Sequence, residues 1–392
     1  MHEHLKMALE VMNILNKNNF EAYMVGGFVR DYLLKMPSKD IDITTNALPE
    51  DIKRIFDKTI LVGAKFNTVI VNYKNHSFEV TTYRIESDYK DYRHPSNVEV
   101  ARTLAEDLER RDFTINTICL DKDLNVVDLL NGKYDLIRHL IRCVGEANVR
   151  FEEDALRILR AIRFAAKLQF MIEPKTLKAM KSKSKLIKHI SIERVMNELK
   201  GVLSSDHTDI GFSYFLRSGL DEIFPDLKES AILLSNKNFH LSFNQFFGLS
   251  LYLHGDFETE WRFSNEEYKE IRAIDSLLPS FEEGSIDILN VYSYGAKTCL
   301  IANRVGLLLG YKDLSNLINK MDQELPIHKT CDLKFKGQDL IDNYKFEDAR
   351  KIGDLVEEIK FKVINKELEN DYEKIKEYVD SIIDNFGASY EK

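Results

Sequence analysis

The residues most capable of chemistry in this sequence are two aspartates separated by one isoleucine, Asp40 and Asp42. Alternate residues of a β-strand point to the same face of the sheet, so both carboxylates are expected on one face. Two negative charges at that distance repel each other unless a cation lies between them. Their oxygens suit Mg²⁺, which takes one or two carboxylates and completes its shell with substrate phosphates. Paired metal ions can activate an attacking hydroxyl and stabilise a leaving pyrophosphate.

A pair of glycines precedes the aspartates by twelve intervening residues and strengthens this interpretation. Gly26 and Gly27 lie between a strand-like and a helix-like stretch, where the backbone can approach a phosphate closely. The spacing is not GxGxxG, so a dinucleotide-binding fold is not indicated. Alone, an Asp-x-Asp is more often a turn or an exposed strand edge, but the glycines and the flanking isoleucines favour catalysis. Glu79 lies on a predicted neighbouring strand. Two interpretations of it stay open: a third carboxylate of the site, or an ordinary exposed strand residue.

These residues lie in the part of the chain that carries the strand signals. Short runs rich in β-branched and aromatic residues predict strands, and Pro49 begins a helix between two of them. From about Tyr134 onward the apolar spacing is helical. The predicted fold class is α+β, with a mixed or antiparallel sheet and flanking helices in an N-terminal head, followed by an all-helical remainder. The predicted strands are Ala22–Val25, Ile41–Thr44, Thr68–Tyr73, Phe78–Tyr83 and Ile115–Leu120.

The composition is that of a globular protein, but the charge is unevenly distributed. The 392 residues include 55 Lys and Arg against 64 Asp and Glu, a net charge of −9. Residues 133–200 alone carry 16 Lys and Arg against 8 Asp and Glu. A local basic field can attract a phosphate backbone even on an acidic protein, whereas a merely solvated helical face is the alternative.

Several classes of protein are disfavoured by the sequence. No apolar run approaches the roughly 20 residues of a membrane span, and the N-terminus is an amphipathic helix without the apolar core of a signal peptide. The four cysteines include no CxxC pair, which argues against a disulfide framework or a Cys-rich zinc site. A reducing cytoplasm is the expected compartment.

A helix predicted from Phe151 places an acidic and a basic side chain one turn apart. Asp154 and Arg157 together offer a hydrogen-bond acceptor and a bidentate donor. Cytosine and adenine both place an exocyclic amine beside a ring acceptor, so one such pair can match either base. Guanine and uracil invert that pattern and would be rejected. A surface salt bridge between the two side chains is the alternative. The buried stripe of this helix is predicted to contain Leu156, Leu159 and Ile162.

These features occur in the order of a known family. The glycine pair and the Asp-Ile-Asp resemble the nucleotidyltransferase superfamily that includes DNA polymerase β. Further blocks, within roughly residues 20–205, resemble its class II tRNA nucleotidyltransferases, the CCA-adding enzymes. The blocks are Arg110–Asn116, similar to a ribose-recognition motif; Asp128–Gly132 and Ile141–Gly145, similar to a head-to-neck hinge; Glu153–Phe164, similar to a base-recognition helix; and Ser191–Arg194, similar to the helix start that supports it.

The resemblance implies a role for each residue that matches a motif. Asp40 and Asp42 would hold Mg²⁺, and Glu79 would complete the catalytic carboxylates. The incoming ATP or CTP would be bound by its triphosphate, ribose and base, and Asp112 could accept a hydrogen bond from the ribose 2′-OH. The implied nucleotide-binding residues are Gly26, Gly27, Arg30, Arg111, Asp112, Asn116, Asp154, Arg157, Arg160 and Arg163.

For three of these residues a second interpretation stays open. Asp112 could have a purely structural role. Arg160 and Arg163 could contact the phosphates of a nucleotide or of tRNA, or lie solvated on the helix surface.

The same resemblance implies a division into four domains and a set of partners. The head would comprise residues 1–140, the helical neck 141–205, the body 206–325 and the tail 326–392. The head would catalyse the reaction and the neck would recognise the base. The neck, body and tail would hold the tRNA acceptor and T-arm backbone by shape, with no contact to a membrane. The family also suggests a homodimer.

The implied activity is template-independent addition of C, C and A to the 3′ end of tRNA from CTP and ATP, with release of pyrophosphate. Addition of A alone and bacterial poly(A) polymerase share the same head. In the family a mobile loop, absent from enzymes that add only C, permits the switch from C to A, and the polar stretch Arg84–Pro95 fits it. A tRNA-binding protein with a decayed head is an alternative from another class. A small-molecule nucleotidyltransferase would not need the basic segment.

Overall fold

A mixed β-sheet near the N-terminus carries most of the residues singled out above. The computed structural model describes residues 2–38, 40–62, 67–89, 95–386 and 388–390. The strands in this N-terminal part are β1 (Ala22–Val25), β2 (Asp42–Thr45), β3 (Thr59–Val62), β4 (Thr68–Tyr73), β5 (His76–Thr82), β6 (Arg84–Tyr89), β7 (Pro95–Val100), β8 (Cys119–Leu120) and β9 (Val126–Val127). The sheet has the order β3–β4–β5–β2–β1–β8–β9, and β6 pairs with β7 in a separate ribbon.

The pairing of β2 with β5 is the relationship that matters most for the site. These two strands run parallel, whereas the other neighbouring strands of the sheet are antiparallel. Alternate residues of β4 and β5, such as Val69, Val71 and Val80, are fully buried. Glu79, between Phe78 and Val80, is therefore on the opposite, exposed face.

Short helices flank the sheet and position the chain between its strands. Pro49 begins one of them, as the sequence predicts. Another begins with a capping box in which Thr103 and Glu106 satisfy each other's backbone N–H groups. The helices are α1 (His2–Lys17), α2 (Gly27–Leu33), α3 (Pro49–Ile55), α4 (Leu104–Glu109) and α5 (Gly132–Ile137), with a 3₁₀ turn at Thr114–Asn116.

The chain continues into a helical region that belongs to the same compact unit as the sheet. This first unit comprises Met1–His240 and Glu258–Arg262. The segment Glu258–Arg262 is attached to the rest of this unit through Trp261, whose indole N–H donates to the buried Asp226 over 2.8 Å. The region contains β10 (Leu140–Ile141), α6 (Ala147–Glu153), α7 (Leu156–Leu168), β11 (Met171–Ile172), α8 (Pro174–Lys183), α9 (Ile192–Leu203), α10 (Thr208–Arg217) and α11 (Lys228–Asn236).

A second compact unit comprises Leu241–Phe257 and Phe263–Lys392. Its first helices begin at capping boxes on Ser242, Ser264 and Asp287. In the part of the chain that the structure describes, no helix is both long and apolar enough to cross a membrane. The elements are α12 (Phe243–His254), α13 (Asn265–Glu282), α14 (Ile288–Tyr294), α15 (Ala296–Leu309), α16 (Ser315–Glu324), α17 (Gly337–Asn343), β12 (Tyr344–Phe346), α18 (Arg350–Ile364), α19 (Tyr372–Ile382) and β13 (Ala388–Tyr390).

The predicted fold class is confirmed: a mixed sheet with flanking helices precedes a helical remainder, which also contains the short pairs β10–β11 and β12–β13. The strand predicted at Ile115–Leu120 is wrong over its first half, because a 3₁₀ turn ends there and only Cys119–Leu120 pairs with β1. The four-domain division with limits at residues 140, 205 and 325 stays a prediction.

The polar stretch predicted as a mobile loop, Arg84–Pro95, has a different form in its described part. Arg84–Tyr89 and Pro95–Val100 are antiparallel strands, joined through residues 90–94, which lie outside the described residues. The β-branched residues just after the predicted loop, such as Val98 and Val100, were the available signal for this ribbon.

Candidate active site

The strand register brings two of the predicted carboxylates side by side. Asp42 is the first residue of β2 and is paired with Glu79 of the parallel strand β5 and with Val25 of β1. Asp40 precedes the strand and is exposed, so the prediction that both aspartates lie within one strand is wrong for Asp40. A strand begins only where a neighbour supplies ladder hydrogen bonds, and β1 ends opposite Asp42.

Asp42 is in an electrostatic environment that favours a bound cation. Burial raises the pKa of its carboxyl group, and the neighbouring charges of Glu79 and Asp40 raise it further, against the opposing effect of Arg111. A divalent cation would relieve both effects, since it compensates the lost solvation and the mutual repulsion. Among the described residues, no three His, Cys, Asp or Glu side chains are arranged to hold a metal ion by themselves. The donor set fits Mg²⁺, which commonly takes two protein carboxylates and substrate oxygens.

Gly26 allows the backbone to lie directly against this carboxylate. Its φ of 79° and ψ of −143° belong to a region open essentially to glycine alone. A methyl group at this position would lie 3.5 Å from Asp42 Oδ2 and 3.6 Å from Arg111 Nη1. Gly27 then begins α2. The predicted glycine pair is thus adjacent to both a predicted metal ligand and a predicted nucleotide-binding arginine.

Arg111 is held by a carboxylate that the sequence analysis missed. Asp107, fully buried on α4, accepts from Arg111 Nη2 over 3.2 Å and from Arg110 Nη2 over 2.8 Å. Burial alone would raise the pKa of Asp107, but the two guanidinium groups outweigh it and the pKa is lowered. The i,i+3 and i,i+4 spacing from Asp107 to these arginines was a readable signal. Arg111 Nε is buried and has no hydrogen-bond partner among the described residues, whereas Nη1 lies close to Gly26 and Asp42, where it can donate to a ligand.

Asp112 forms the centre of a buried polar network. Its Oδ2 accepts from Arg160 Nε and Nη2 over 2.9 and 2.6 Å, and its Oδ1 accepts from Asn116 Nδ2 over 3.0 Å. Burial favours the neutral acid, but the ion pair with Arg160 and the hydrogen bond from Asn116 lower the pKa of Asp112 to about 2. Asp112 and Arg160 are 48 positions apart in the sequence, so the motif around each could not reveal the pair.

The network extends from Asn116 to Arg30 of helix α2. Arg30 Nη1 donates to Asn116 Oδ1 over 2.8 Å, and its Nε donates to Asp31 over 2.7 Å. The residue is only 3% exposed. Lys167 of α7 reaches the other oxygen of Asp31 over 3.2 Å. The buried guanidinium of Arg30 is therefore held inside the fold between the sheet domain and helix α7.

The predicted base-recognition helix is broken at Asp154. Helix α6 ends at Glu153, Asp154 has the extended dihedrals φ −139° and ψ 101°, and α7 begins at Leu156. The prediction of one continuous helix carrying Asp154 and Arg157 is therefore wrong. Asp154 Oδ1 accepts the backbone N–H of Leu156 over 3.1 Å, and such side-chain bonds to the backbone favour helix starts over helix interiors. The predicted buried stripe of Leu156, Leu159 and Ile162 is confirmed.

Arg157 is buried and held by acceptors in helix α6 and at the end of helix α4. It donates to Glu153 Oε2 over 2.8 Å, to the carbonyl of Arg150 over 3.2 Å and to the carbonyl of Arg110 over 3.0 Å. The last contact joins helix α7 to the segment that contains Arg111. Arg157 thus lies next to the predicted ribose-recognition residues, and of the predicted pair only Arg157 is on the helix.

The segment Asp112–Thr114 is bonded through its backbone to the predicted hinge. Thr114 N donates to Arg142 O over 2.9 Å, and Val144 N donates to Asp112 O over 3.1 Å. At the start of the hinge, Asp128 accepts the N–H of Gly132 over 2.8 Å. A methyl group at Gly132 would overlap the carbonyl oxygen of Thr114, so only glycine fits there. These contacts fix the position of the second predicted domain against the first at Asp112.

Family models match successive parts of the chain. The poly A polymerase head domain matches residues 22–142, which include the carboxylates and the glycine pair. The RNA- and SrmB-binding site of polymerase A matches residues 169–230. The tRNA nucleotidyltransferase domain 2 matches residues 249–379.

Several known proteins are similar over almost the whole chain. A CCA-adding enzyme of Streptococcus pyogenes serotype M1 is 35% identical over 391 residues, 97% of each chain. The crystal structure of the Bacillus stearothermophilus CCA-adding enzyme in complex with CTP is 30% identical, with a TM-score of 0.83 over 98% of this chain and 99% of that one. The Thermotoga maritima CCA-adding enzyme complexed with tRNA shares the fold, with 21% identity and a TM-score of 0.68 over 96% of this chain and 95% of that one.

Proposed function

This chain belongs to the family of CCA-adding enzymes, and on that premise we propose that it adds C, C and A in turn to the 3′ end of tRNA. The substrates are CTP and ATP, and each addition releases pyrophosphate. The observation that carries the proposal is the 35% identity to a CCA-adding enzyme over 97% of both chains. The similarity extends through both compact units, so it is not limited to a shared nucleotidyltransferase head.

The head residues support catalysis of phosphoryl transfer. Asp40 and Asp42 would hold Mg²⁺, which neutralises triphosphate charge and lowers the pKa of an attacking hydroxyl when bound. Asp42 has the raised pKa and partial burial expected of a carboxylate that a cation would stabilise. The glycine backbone at Gly26 leaves room for a phosphate beside it, and Arg111 can donate to that phosphate. Glu79 would add negative charge beside Asp42 on the neighbouring strand.

Recognition of the incoming base is assigned to Asp154 and Arg157. A carboxylate accepts from the exocyclic amine of cytosine or adenine, and a guanidinium donates to the neighbouring ring nitrogen. Both side chains are held by neighbouring groups before any nucleotide arrives, which limits the cost of ordering them on binding. A fixed pair of this kind can select C and A without a nucleic-acid template.

Recognition of the sugar is assigned to the segment that includes Asp112. Its carboxylate is ionised at neutral pH because Arg160 and Asn116 stabilise the charge. An ionised carboxylate can accept a hydrogen bond from a ribose 2′-OH, which favours NTP over dNTP. Asn116, Arg160 and the Phe113 N–H already donate to its four lone-pair sites, so the 2′-OH would replace one of these donors.

The tRNA backbone is assigned to the exposed face of helix α8. Lys175, Lys178 and Lys181 recur every three residues and are all exposed. In the part of the chain that the structure describes, none of these three lysines forms an ion pair or a side-chain hydrogen bond. The arginines of α7 differ, because Arg157, Arg160 and Arg163 are each paired with a carboxylate. Unpaired exposed cations are suited to the phosphates of a long nucleic acid.

The proposal is tested by extending tRNA transcripts that end before CCA, after the first C and after CC. Each transcript is incubated with Mg²⁺ and CTP, ATP or both, and the products are resolved at single-nucleotide resolution. Growth by C, C and A with both nucleotides, and no further, is the expected result. Extension of the CC-ended transcript by a single A alone would indicate an A-adding enzyme. A long ladder from ATP would indicate a poly(A) polymerase, and no extension would indicate a tRNA-binding protein.

A further inference from the structure

One aromatic ring lies beneath three of the arginines in the nucleotide-binding region. The Cζ atoms of Arg30, Arg160 and Arg163 lie 4.9, 5.4 and 4.7 Å from the centroid of the Phe164 ring. All three distances are within the range in which a guanidinium is attracted to the electron-rich face of an aromatic ring. Phe164 itself is buried, and Phe113 packs edge-on against it with ring centroids 5.8 Å apart.

Each guanidinium is also attached to a different acidic or polar group. Arg30 is bonded to Asp31 and Asn116, as described above, and Arg160 to Asp112. Arg163 donates from Nε to Glu198 Oε2 over 2.6 Å. Among the described residues, the Phe164 ring is therefore the one group that all three arginines contact.

The arrangement keeps three guanidinium groups together, and two of them keep donors for an anion. Among the described residues, Arg160 Nη1 and both Nη atoms of Arg163 have no hydrogen-bond partner. The side chains of Arg160 and Arg163 are 34% and 25% exposed, whereas Arg30 is buried. A ring attracts a guanidinium through its face and leaves the in-plane N–H groups free. An aromatic support is thus suited to cations that must later bind a more strongly charged ligand.

Gly201 of helix α9 provides an independent indication that the position of Arg163 matters. A methyl group on Gly201 would overlap the Cδ atom of Arg163. The stem of Arg163 therefore passes directly over the backbone of α9 on its way to the ring. Its guanidinium is fixed by Glu198 on one side and by Phe164 on the other.

We propose that Phe164 is a positioning residue that aligns Arg160 and Arg163 for the triphosphate of the incoming nucleotide. Arg30, in the head, packs against the same ring. This inference rests on the proposed function, because it takes the polyanion to be CTP or ATP. Phe164 lies seven residues after Arg157 on α7, and no hydrogen bond, ion pair or ring contact joins it to Asp154 or Arg157 among the described residues. Its loss should therefore weaken binding of the triphosphate and leave the choice between bases unchanged.

The test compares Phe164→Leu, which removes the ring, with Phe164→Tyr, which retains it. The matched control is Phe215→Leu on helix α10, because Phe215 is also buried and has no cation over its ring among the described residues. The readouts are KM and kcat for CTP and ATP, inhibition by inorganic tripolyphosphate, and melting temperature. Tripolyphosphate reports on the anion site without a base or a sugar.

Phe164→Leu is expected to raise KM for both nucleotides about tenfold, equivalent to about 1.4 kcal/mol, and to weaken tripolyphosphate inhibition by a similar factor. Its kcat and the order of C and A addition should stay within about twofold of the wild type. Phe164→Tyr should restore both constants. Phe215→Leu should lower the melting temperature with no change in KM.

The inference is overturned if Phe164→Leu and Phe215→Leu have the same KM, or if Phe164→Tyr is as impaired as Phe164→Leu. Failure of the proposed function gives a different result, because the wild type would then extend no tRNA. In that case, calorimetric binding of tripolyphosphate to the wild type and to Phe164→Leu still measures the role of the ring. Equal affinities in that measurement would also overturn the inference.

Discussion

Arg194 of helix α9 donates from Nη2 to Oδ2 of Asp154 over 3.1 Å, across the break between helices α6 and α7. The other carboxylate oxygen accepts the backbone N–H of Leu156. The orientation of the proposed base-reading carboxylate is thus set from a different helix. Each oxygen keeps a second lone pair for a substrate amine. The sequence resemblance predicted that Ser191–Arg194 begins a helix that supports the base-recognition helix, and this bond is a contact of that kind.

Arg194→Met is expected to reduce discrimination against UTP and GTP about three- to tenfold. The reason is that one hydrogen bond of about 0.5–1.5 kcal/mol no longer orients Asp154. Misincorporation is measured by extending CC-ended tRNA with each nucleotide alone. Arg262→Ala is the control, because Arg262 forms an ion pair with Glu193 on the same helix but is 74% exposed. Equal misincorporation in both variants would contradict the orienting role.

Arg157→Ala is expected to relax base choice by about 10- to 100-fold, since a bidentate contact to a base edge contributes about 1–3 kcal/mol of discrimination. The measurement is the ratio of kcat/KM for CTP to that for UTP. Glu153→Gln breaks the ion pair to Arg157 and retains the guanidinium, so it separates recognition from support. An unchanged ratio of kcat/KM for CTP to that for UTP in Arg157→Ala would contradict the hypothesis that protein side chains select the base in place of a nucleic-acid template.

Asp42→Ala is expected to abolish turnover, with a loss of at least about a thousandfold in kcat, because the metal contribution to phosphoryl transfer is several kcal/mol. Binding of tRNA, measured by filter retention, should change little. Asp57→Ala, an exposed carboxylate of the same domain, is the matched control. A parallel fall of tRNA affinity and rate in Asp42→Ala would argue against the metal role.

Replacing Lys175, Lys178 and Lys181 with alanine is expected to weaken tRNA binding about tenfold or more at physiological salt. The slope of log affinity against log salt concentration should fall by about 2–3, since each lost phosphate contact removes about one unit. KM for CTP should be unaffected at saturating tRNA. A triple alanine variant of Lys17, Lys53 and Lys58, also exposed, provides the control. An unchanged slope would place the tRNA elsewhere.

Asp112→Asn is expected to destabilise the folded protein by about 2 kcal/mol at neutral pH, because the folded-state pKa of about 2 is below the ordinary value of 3.8. A lowered pKa contributes stability above the unfolded-state pKa and loses it as pH falls through the folded-state pKa. The difference in unfolding free energy between wild type and variant should therefore shrink between about pH 4 and pH 2. A constant difference across that window would show that Asp112 stabilises the fold without its charge.

Local sequence signals determined much of the site. The Asp-Ile-Asp with its preceding glycines, the apolar spacing of α7 and the motif order all depend on residues close together in the chain. Even Asp107, which was missed, lies within four residues of the arginines it holds. Such relationships follow from the geometry of one helix, one strand or one turn.

Tertiary structure decided the relationships between distant segments. Glu79 is beside Asp42 because β5 pairs parallel to β2, and register is set by sheet packing that no local pattern specifies. The Asp112–Arg160 ion pair and the Arg194–Asp154 hydrogen bond join residues 48 and 40 positions apart. The helix break at Asp154 arises where side-chain hydrogen bonding competes with the helix, and its partner Arg194 comes from another helix. Local propensity favoured a continuous helix there, and only the packed structure supplied the acceptors and donors that favour the break.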